Sequence, residues 1–229
     1  MRLRRIVPAV IAAVVAALTL TAAPAATAAA PASSASAFAI RGGDPLYSDT
    51  GAVCTVGFNA RGGSEYYGIM AGHCALGSQT WYADPARTVV VGVTRRVSFP
   101  GGDHALIRYT NSEISYPGEV SIGGGQVRDI TGAANPLVGQ SVCQVTRTTG
   151  MHCGTVTSLN ATVRYPEGVV YGLIRTNLCS EPGASGAPLI SGNTALAVGS
   201  AASGNCSTGG TTFHQPVVEV LSAYGLTIY

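Results

Sequence analysis

Cys179-Ser180-Glu181-Pro182-Gly183-Ala184-Ser185-Gly186-Ala187-Pro188 sets one serine between glycines, in a stretch with two prolines and almost no bulky side chain. A serine hydroxyl is a weak nucleophile until a base takes its proton and donors receive the developing oxyanion. Glycines beside a serine permit a tight bend that exposes the side chain and turns backbone N–H groups into one small space. Taken alone, the same letters describe a small-residue turn, because short motifs match by chance. Two upstream stretches decide between these readings.

Ala71-Gly72-His73-Cys74 places a histidine directly after the apolar run from Tyr66 to Met70. Gly101-Gly102-Asp103-His104-Ala105-Leu106-Ile107 places a carboxylate at the mouth of another apolar run. Histidine as base, aspartate as orienter and serine as nucleophile make up the triad logic. Their order along the chain, His then Asp then Ser, is that of chymotrypsin-like folds; α/β-hydrolases run Ser, Asp, His. Ala187 stands where a Gly-x-Ser-x-Gly elbow needs its second glycine, and no strand–helix–strand pattern surrounds it. A hydrolase elbow does not fit.

At these three stretches the chain resembles the bacterial chymotrypsin-like serine proteases of the streptogrisin and alpha-lytic protease family. Matching stretches run from Ile40-Arg41-Gly42-Gly43-Asp44 through Ser98-Phe99-Pro100, Arg147-Thr148-Thr149-Gly150 and Asn160-Ala161-Thr162-Val163 to Leu221-Ser222-Ala223-Tyr224-Gly225. The likeness spans essentially Ile40 to Tyr229. It implies an all-β fold of two six-stranded antiparallel β-barrels with a C-terminal helix. It implies His73 as general base, Asp103 as orienter and Ser185 as nucleophile, with the N–H groups of Gly183 and Ser185 as oxyanion hole. It also implies a secreted, monomeric serine endopeptidase acting on protein or peptide substrates, with no metal and no organic cofactor. An esterase would share the same machinery.

The start of the chain agrees with export. Met1-Arg2-Leu3-Arg4-Arg5 followed by the apolar run Ile6 to Leu20 reads as a signal peptide over residues 1–28, with cleavage options near Ala26-Thr27-Ala28. Pro8 and the dissolution into Ala, Thr and Pro argue against a membrane anchor, which needs about twenty uninterrupted apolar residues. Residues 29–39, mostly Ala, Ser and Pro, form a short pro-segment or linker, too short for the folded pro-region usual in this family. Residues 40–229 form the protease domain of two fused barrels. The 13 basic residues are all arginine, and losing Arg2, Arg4 and Arg5 with the leader leaves 10 against 11 acidic ones. A near-neutral domain excludes nucleic acid and anionic membrane as expected partners.

Six cysteines in an exported chain read as three disulfides, whose pairing the sequence leaves open. The resemblance suggests Cys54 with Cys74, Cys143 with Cys153, and Cys179 with Cys206. A metal site is set aside, because the spacings lack Cys-x-x-Cys pairs. Glycine and proline punctuation predicts strands at 53–58, 66–70, 88–93, 105–109 and 141–146. Further strands are predicted at 154–161, 172–176, 188–190, 195–200 and 211–215. Pro216 to Tyr224 reads as the one helix, with Val217, Val220, Leu221 and Tyr224 on one face and Gly225 ending it.

Three departures bear on specificity and activity. Ser200-Ala201-Ala202 stands where the family reads Ser-Gly-Gly, beside the pocket for the residue before the scissile bond. The two methyl groups point to small or medium apolar side chains over Phe and Tyr, and Ser200 is expected beside the Asp103 carboxylate. His214 occupies a place where glutamate-preferring relatives carry a histidine. The further histidines of those relatives are replaced here by Leu189 and Gly199, so a strong glutamate preference is not expected. Ala184 and Ala187 replace the aspartate and last glycine of Gly-Asp-Ser-Gly-Gly, and Gln144 occupies the position of the arginine that pairs with that aspartate. The alternative to an active protease is therefore a catalytically impaired binding module. His104 reads as structural, and His152 as exposed in the loop closed by Cys143 and Cys153.

Overall fold

The computed structural model describes residues 38–146 and 150–229. The expected signal peptide and residues 29–37 of the expected linker lie outside the described residues.

Seven strands make the first sheet: β1 (Pro45–Ser48), β2 (Val53–Thr55), β3 (Phe58–Gly62), β4 (Glu65–Met70), β5 (Thr80–Tyr82), β6 (Val90–Ser98) and β7 (His104–Tyr109). Their order is β2-β1-β5-β6-β7-β4-β3. The two edge strands, β2 and β3, are separated in sequence only by Val56 and Gly57. Residues 53–62 are thus one kinked strand that joins both edges into a barrel and removes the open edge. The Val56 N–H donates to Asp44 O and the Gly57 N–H to Ile69 O across the kink.

A hairpin of β8 (Glu119–Gly123) and β9 (Gln126–Asp129) leads to the second sheet. That sheet contains β10 (Gly132–Ala133), β11 (Ser141–Thr146), β12 (Gly150–Tyr165), β13 (Gly168–Thr176), β14 (Pro188–Ser191), β15 (Thr194–Asn205) and β16 (Gly209–Pro216). Its order is β10-β15-β14-β11-β12-β13-β16, and β16 returns to pair with β15. Each sheet holds seven strands where six were expected. In the first sheet the kink splits one strand in two; in the second the two-residue β10 is added, parallel to β15, outside the closed ring.

The core has three parts. Leu46, Val56, Met70, Trp81 and Ile107 fill the first barrel, and Val142, Val156, Ile174, Leu189 and Leu196 fill the second. Between them, Phe58, Ile69 and Leu106 of the first sheet meet Ile190 and Val198 of the second. Helix α1 (Val217–Tyr224) adds Val217 and Val220 to that middle layer. Burying a side chain of this size stabilises by about 1.5–3 kcal/mol, so the middle layer fixes one barrel against the other.

Pro216 caps α1 and Gly225 ends it at φ +63, as the sequence predicts. Beyond the helix, Arg61 and Thr227 exchange two backbone hydrogen bonds of 2.9 Å, across 166 residues of chain. The Tyr229 hydroxyl donates to the Tyr116 carbonyl. Among the described residues no helix is long and apolar enough to cross a membrane.

Strand β11 has the predicted bounds, and most others extend beyond theirs. Strands β1, β5, β8, β9 and β10 were not predicted. They run two to five residues, too short for an alternation to declare itself. Strand β12 is sixteen residues long instead of eight, and three register shifts against β13 break its periodicity. The disulfides join Cys54 to Cys74, Cys143 to Cys153 and Cys179 to Cys206. The first pins β2 to the turn that carries His73. The last pins the segment before Ser185 to the end of β15.

Candidate active site

The pairing of β4 with β7, with Met70 opposite Ala105, brings the next residues of one strand beside the preceding residues of the other. His73 begins a single 3-10 turn just past β4, and Asp103 stands one residue before β7. Close approach is possible because residue 72 is glycine. A Cβ there would lie 2.6 Å from Ser98 O and 2.8 Å from His104 N. The Asp103 carboxylate accepts the His73 backbone N–H through Oδ1 at 2.9 Å. His73 Nδ1 lies 2.9 Å from Oδ2 and 3.1 Å from Oδ1.

Ser185 arrives from the second half of the chain, on the loop between β13 and β14. Thr55, on β2 of the first barrel, holds that loop twice. Its N–H donates to Ser185 O at 2.9 Å and its hydroxyl to Gly183 O at 2.8 Å. Ser185 Oγ then lies 2.9 Å from His73 Nε2. Gly183 takes φ +95, a conformation that glycine adopts without strain. Among the described residues, neither the Gly183 N–H nor the Ser185 N–H has an acceptor within the chain.

The Asp103 carboxylate is wholly buried. Burial alone would push its pKa up, but the hydrogen bond and charge of His73 and the hydroxyl of Ser200 outweigh this. The carboxyl is held below its usual range. Ser200 Oγ donates to Oδ2 at 2.6 Å, and the Asp103 N–H donates to Gln215 Oε1 at 2.8 Å. The Tyr165 hydroxyl lies 2.9 Å from Ser200 Oγ and 3.5 Å from Oδ2. Burial pushes the Tyr165 phenol up to about 12, so it stays protonated. The rings of Phe99 and Tyr165 lie 5.9 and 6.0 Å from the His73 ring and 5.0 Å from each other. Together they cover one side of the imidazole.

Beside Ser185 lies a depression of about 280 Å³. Ser200, Ala201 and Ala202, expected there, line it together with Gln144, Glu181 and Gly199. His214 does not. It is fully buried, sits opposite Gly199 on the neighbouring strand, and puts Nε2 2.7 Å from Thr212 Oγ1. Burial pushes its imidazole down to about 3, so it is neutral. Ala184 and Gln144 are both buried, and neither brings a charge. His104 sets Nε2 3.2 Å from the Tyr224 hydroxyl, and burial lowers its pKa. His152 is not in an exposed loop: it lies half-buried on β12, opposite Gln144. His152, Cys179 and Cys206 offer atoms within 4.8 Å of one another, but the disulfide leaves no thiolate for a metal.

Tyr165, Gln215, Thr55 and Phe99 touch this constellation and were not singled out from the sequence. Phe99 and Gln215 lie within stretches already noted for other reasons. Nothing in the local sequence around Tyr165 or Thr55 points to either.

No family model matches the chain. The chain is 49% identical over 175 residues to serine protease 2 of Streptomyces fradiae, covering 76% of this chain and all of that protein. To streptogrisin-A of Streptomyces griseus it is 45% identical over 190 residues, which is 82% of this chain and 61% of the relative's length. Among solved structures, an alpha-lytic protease homolog called N4 aligns with a TM-score of 0.79 at 55% identity. The match covers 83% of this chain and 100% of that one. A glutamic acid specific serine protease, described as using a histidine triad in substrate binding, aligns with a TM-score of 0.79 at 42% identity over the same shares.

Proposed function

The chain belongs to the chymotrypsin-like serine endopeptidases of the streptogrisin family, and we propose that it cleaves peptide bonds through an acyl-enzyme on Ser185. The observation that carries this is the line from Ser185 Oγ through His73 to Asp103, at 2.9 Å for each side-chain step. As Ser185 Oγ attacks the substrate carbonyl, His73 Nε2 takes its proton. Asp103 holds the tautomer with the proton on Nδ1 and stabilises the imidazolium. The N–H groups of Gly183 and Ser185, without acceptors of their own, are suited to receive the oxyanion. The imidazolium then protonates the leaving amine. Water, deprotonated by the same His73, attacks the acyl carbon and restores the serine.

Ala201 and Ala202 add methyl groups at the depression and favour small to medium side chains over Phe and Tyr before the scissile bond. Such selection amounts to about 1–3 kcal/mol per methylene. No second histidine accompanies the buried, neutral His214, since Leu189 and Gly199 occupy the neighbouring strands. Among the described residues, an acidic side chain finds no cationic partner in the lining of the depression. Three disulfides suit an oxidising compartment, in line with export directed by residues 1–28 and a linker over residues 29–39. The catalytic constellation is complete within one chain, as a monomer requires.

Labelling with a fluorophosphonate probe, followed by peptide mapping, tests the reading. Label on Ser185 that is absent from His73→Ala is the expected result. A folded, disulfide-intact protein that takes no label overturns it in favour of a binding module with an idle oxyanion loop.

A further inference from the structure

We propose that Gln144 reads the substrate: its side-chain amide, at the floor of the depression beside Ser185, selects a residue ending in a carboxamide, glutamine first, before the scissile bond. The inference rests on the protease reading above and names the substrate class of that site.

Gln144 lies on β11, between His152 of β12 and Leu189 of β14. It is 2% exposed, and its Oε1 has no hydrogen-bond partner among the described residues. Buried polar atoms are almost always satisfied, and one left open calls for a reason. Ala184, also buried at the site, offers only a methyl group where a carboxylate would have engaged this position. The amide is not sealed away, however. Gly199 has no side chain, and a Cβ on it would come within 3.2 Å of Gln144 Nε2. The missing side chain leaves a window, so that Gln144 and Gly199 both line the depression.

What fits such a floor follows from the donors and acceptors. A half-turn of the amide exchanges its oxygen and its NH₂, so Gln144 can both accept and donate. A substrate carboxamide can answer whichever of the two faces the depression, accepting from the NH₂ or donating to the oxygen. A carboxylate only accepts, and it enters a depression whose lining, among the described residues, has no Arg or Lys but includes Glu181. An ammonium only donates, so it answers Gln144 only when the amide oxygen faces the depression. A thioether or alkyl chain of similar length leaves the Gln144 amide unanswered. Ala201 and Ala202 therefore set the size of the residue accepted, and Gln144 sets the chemistry at its tip.

The test uses peptide substrates identical except for glutamine, methionine, leucine or glutamate before the scissile bond. The wild-type kcat/KM should be about tenfold higher for glutamine than for methionine or glutamate, the scale of one or two neutral hydrogen bonds. In Gln144→Met the ratio of kcat/KM for glutamine over methionine should fall to about one, whatever change the substrates share. Equal wild-type rates for glutamine and methionine would overturn the proposal, as would a glutamine-to-methionine ratio that stays the same in the variant. A second measurement separates this proposal from the catalytic reading: binding of product peptides ending in glutamine or methionine to Ser185→Ala. Tighter binding of the glutamine peptide upholds the role of Gln144 even where the wild type cleaves nothing. Equal binding rejects it.

Discussion

Ser200 donates its hydroxyl to Asp103 Oδ2 at 2.6 Å, although Ser200 belongs to β15 of the second sheet and Asp103 to the mouth of β7 in the first. The orienting carboxylate is thus held from both barrels. Removing this donor in Ser200→Ala should cut kcat about tenfold or more, the scale for a hydrogen bond to a charged group. The pH dependence has a definite sign. A carboxyl whose folded pKa is depressed adds stability above its ordinary range, and that stability is lost as pH falls through the folded value. Ser200→Ala raises the folded value, so acid denaturation followed by circular dichroism should begin at higher pH than in the wild type.

Ala184→Asp would return a carboxylate to a buried position whose cationic partner is absent. Thermal unfolding should show a loss of roughly 3 kcal/mol, which in a domain of this size lowers Tm by about 10 °C. Combining Ala184→Asp with Gln144→Arg should recover most of that loss. A double variant no more stable than the single one would show that the two positions do not interact.

Gly72→Ala places a methyl group against backbone atoms on two sides, Ser98 O and His104 N. Neither can rotate away as a flexible side chain would. The cost should be about 1–3 kcal/mol in urea unfolding. Because the pushed segment carries His73, the rate of fluorophosphonate labelling should fall as well.

His214 sets a second pH dependence. Its folded pKa is lowered to about 3, while the unfolded chain takes up the proton near the ordinary value of about 6.5. Between these limits the unfolded state binds the extra proton, so stability falls as pH drops from about 6.5 to about 3. One proton contributes at most about 1.4 kcal/mol per pH unit. His214→Gln should flatten the profile of unfolding free energy in that window. An unchanged slope would show that other groups carry it.

Much of this was legible in the sequence because it is local. His73, Asp103 and Ser185 each sit in a small-residue stretch beside an apolar run, and those runs became β4, β7 and β14. What was hidden is tertiary. Tyr165 reaches Ser200 only because β12 runs past three register shifts, and no nearby residue reports that path. His214 looked like a pocket residue by position, yet a strand alternates its faces, and its ring points into the barrel. The kink at Val56 and Gly57 likewise depends on partners far along the chain. It made one expected strand into two.

The exchange of hydrogen bonds between Arg61 and Thr227 has a consequence for the order of assembly during synthesis. Residues 40–109 contain every strand of the first barrel, and a ribosome delivers them early. The edge at Arg61 nevertheless waits for a segment made 166 residues later, as does the Tyr116 carbonyl for Tyr229. The half of the molecule that is made first is the half that is finished last. Such long-range closure slows folding and ties the readiness of the early barrel to the release of the late segment.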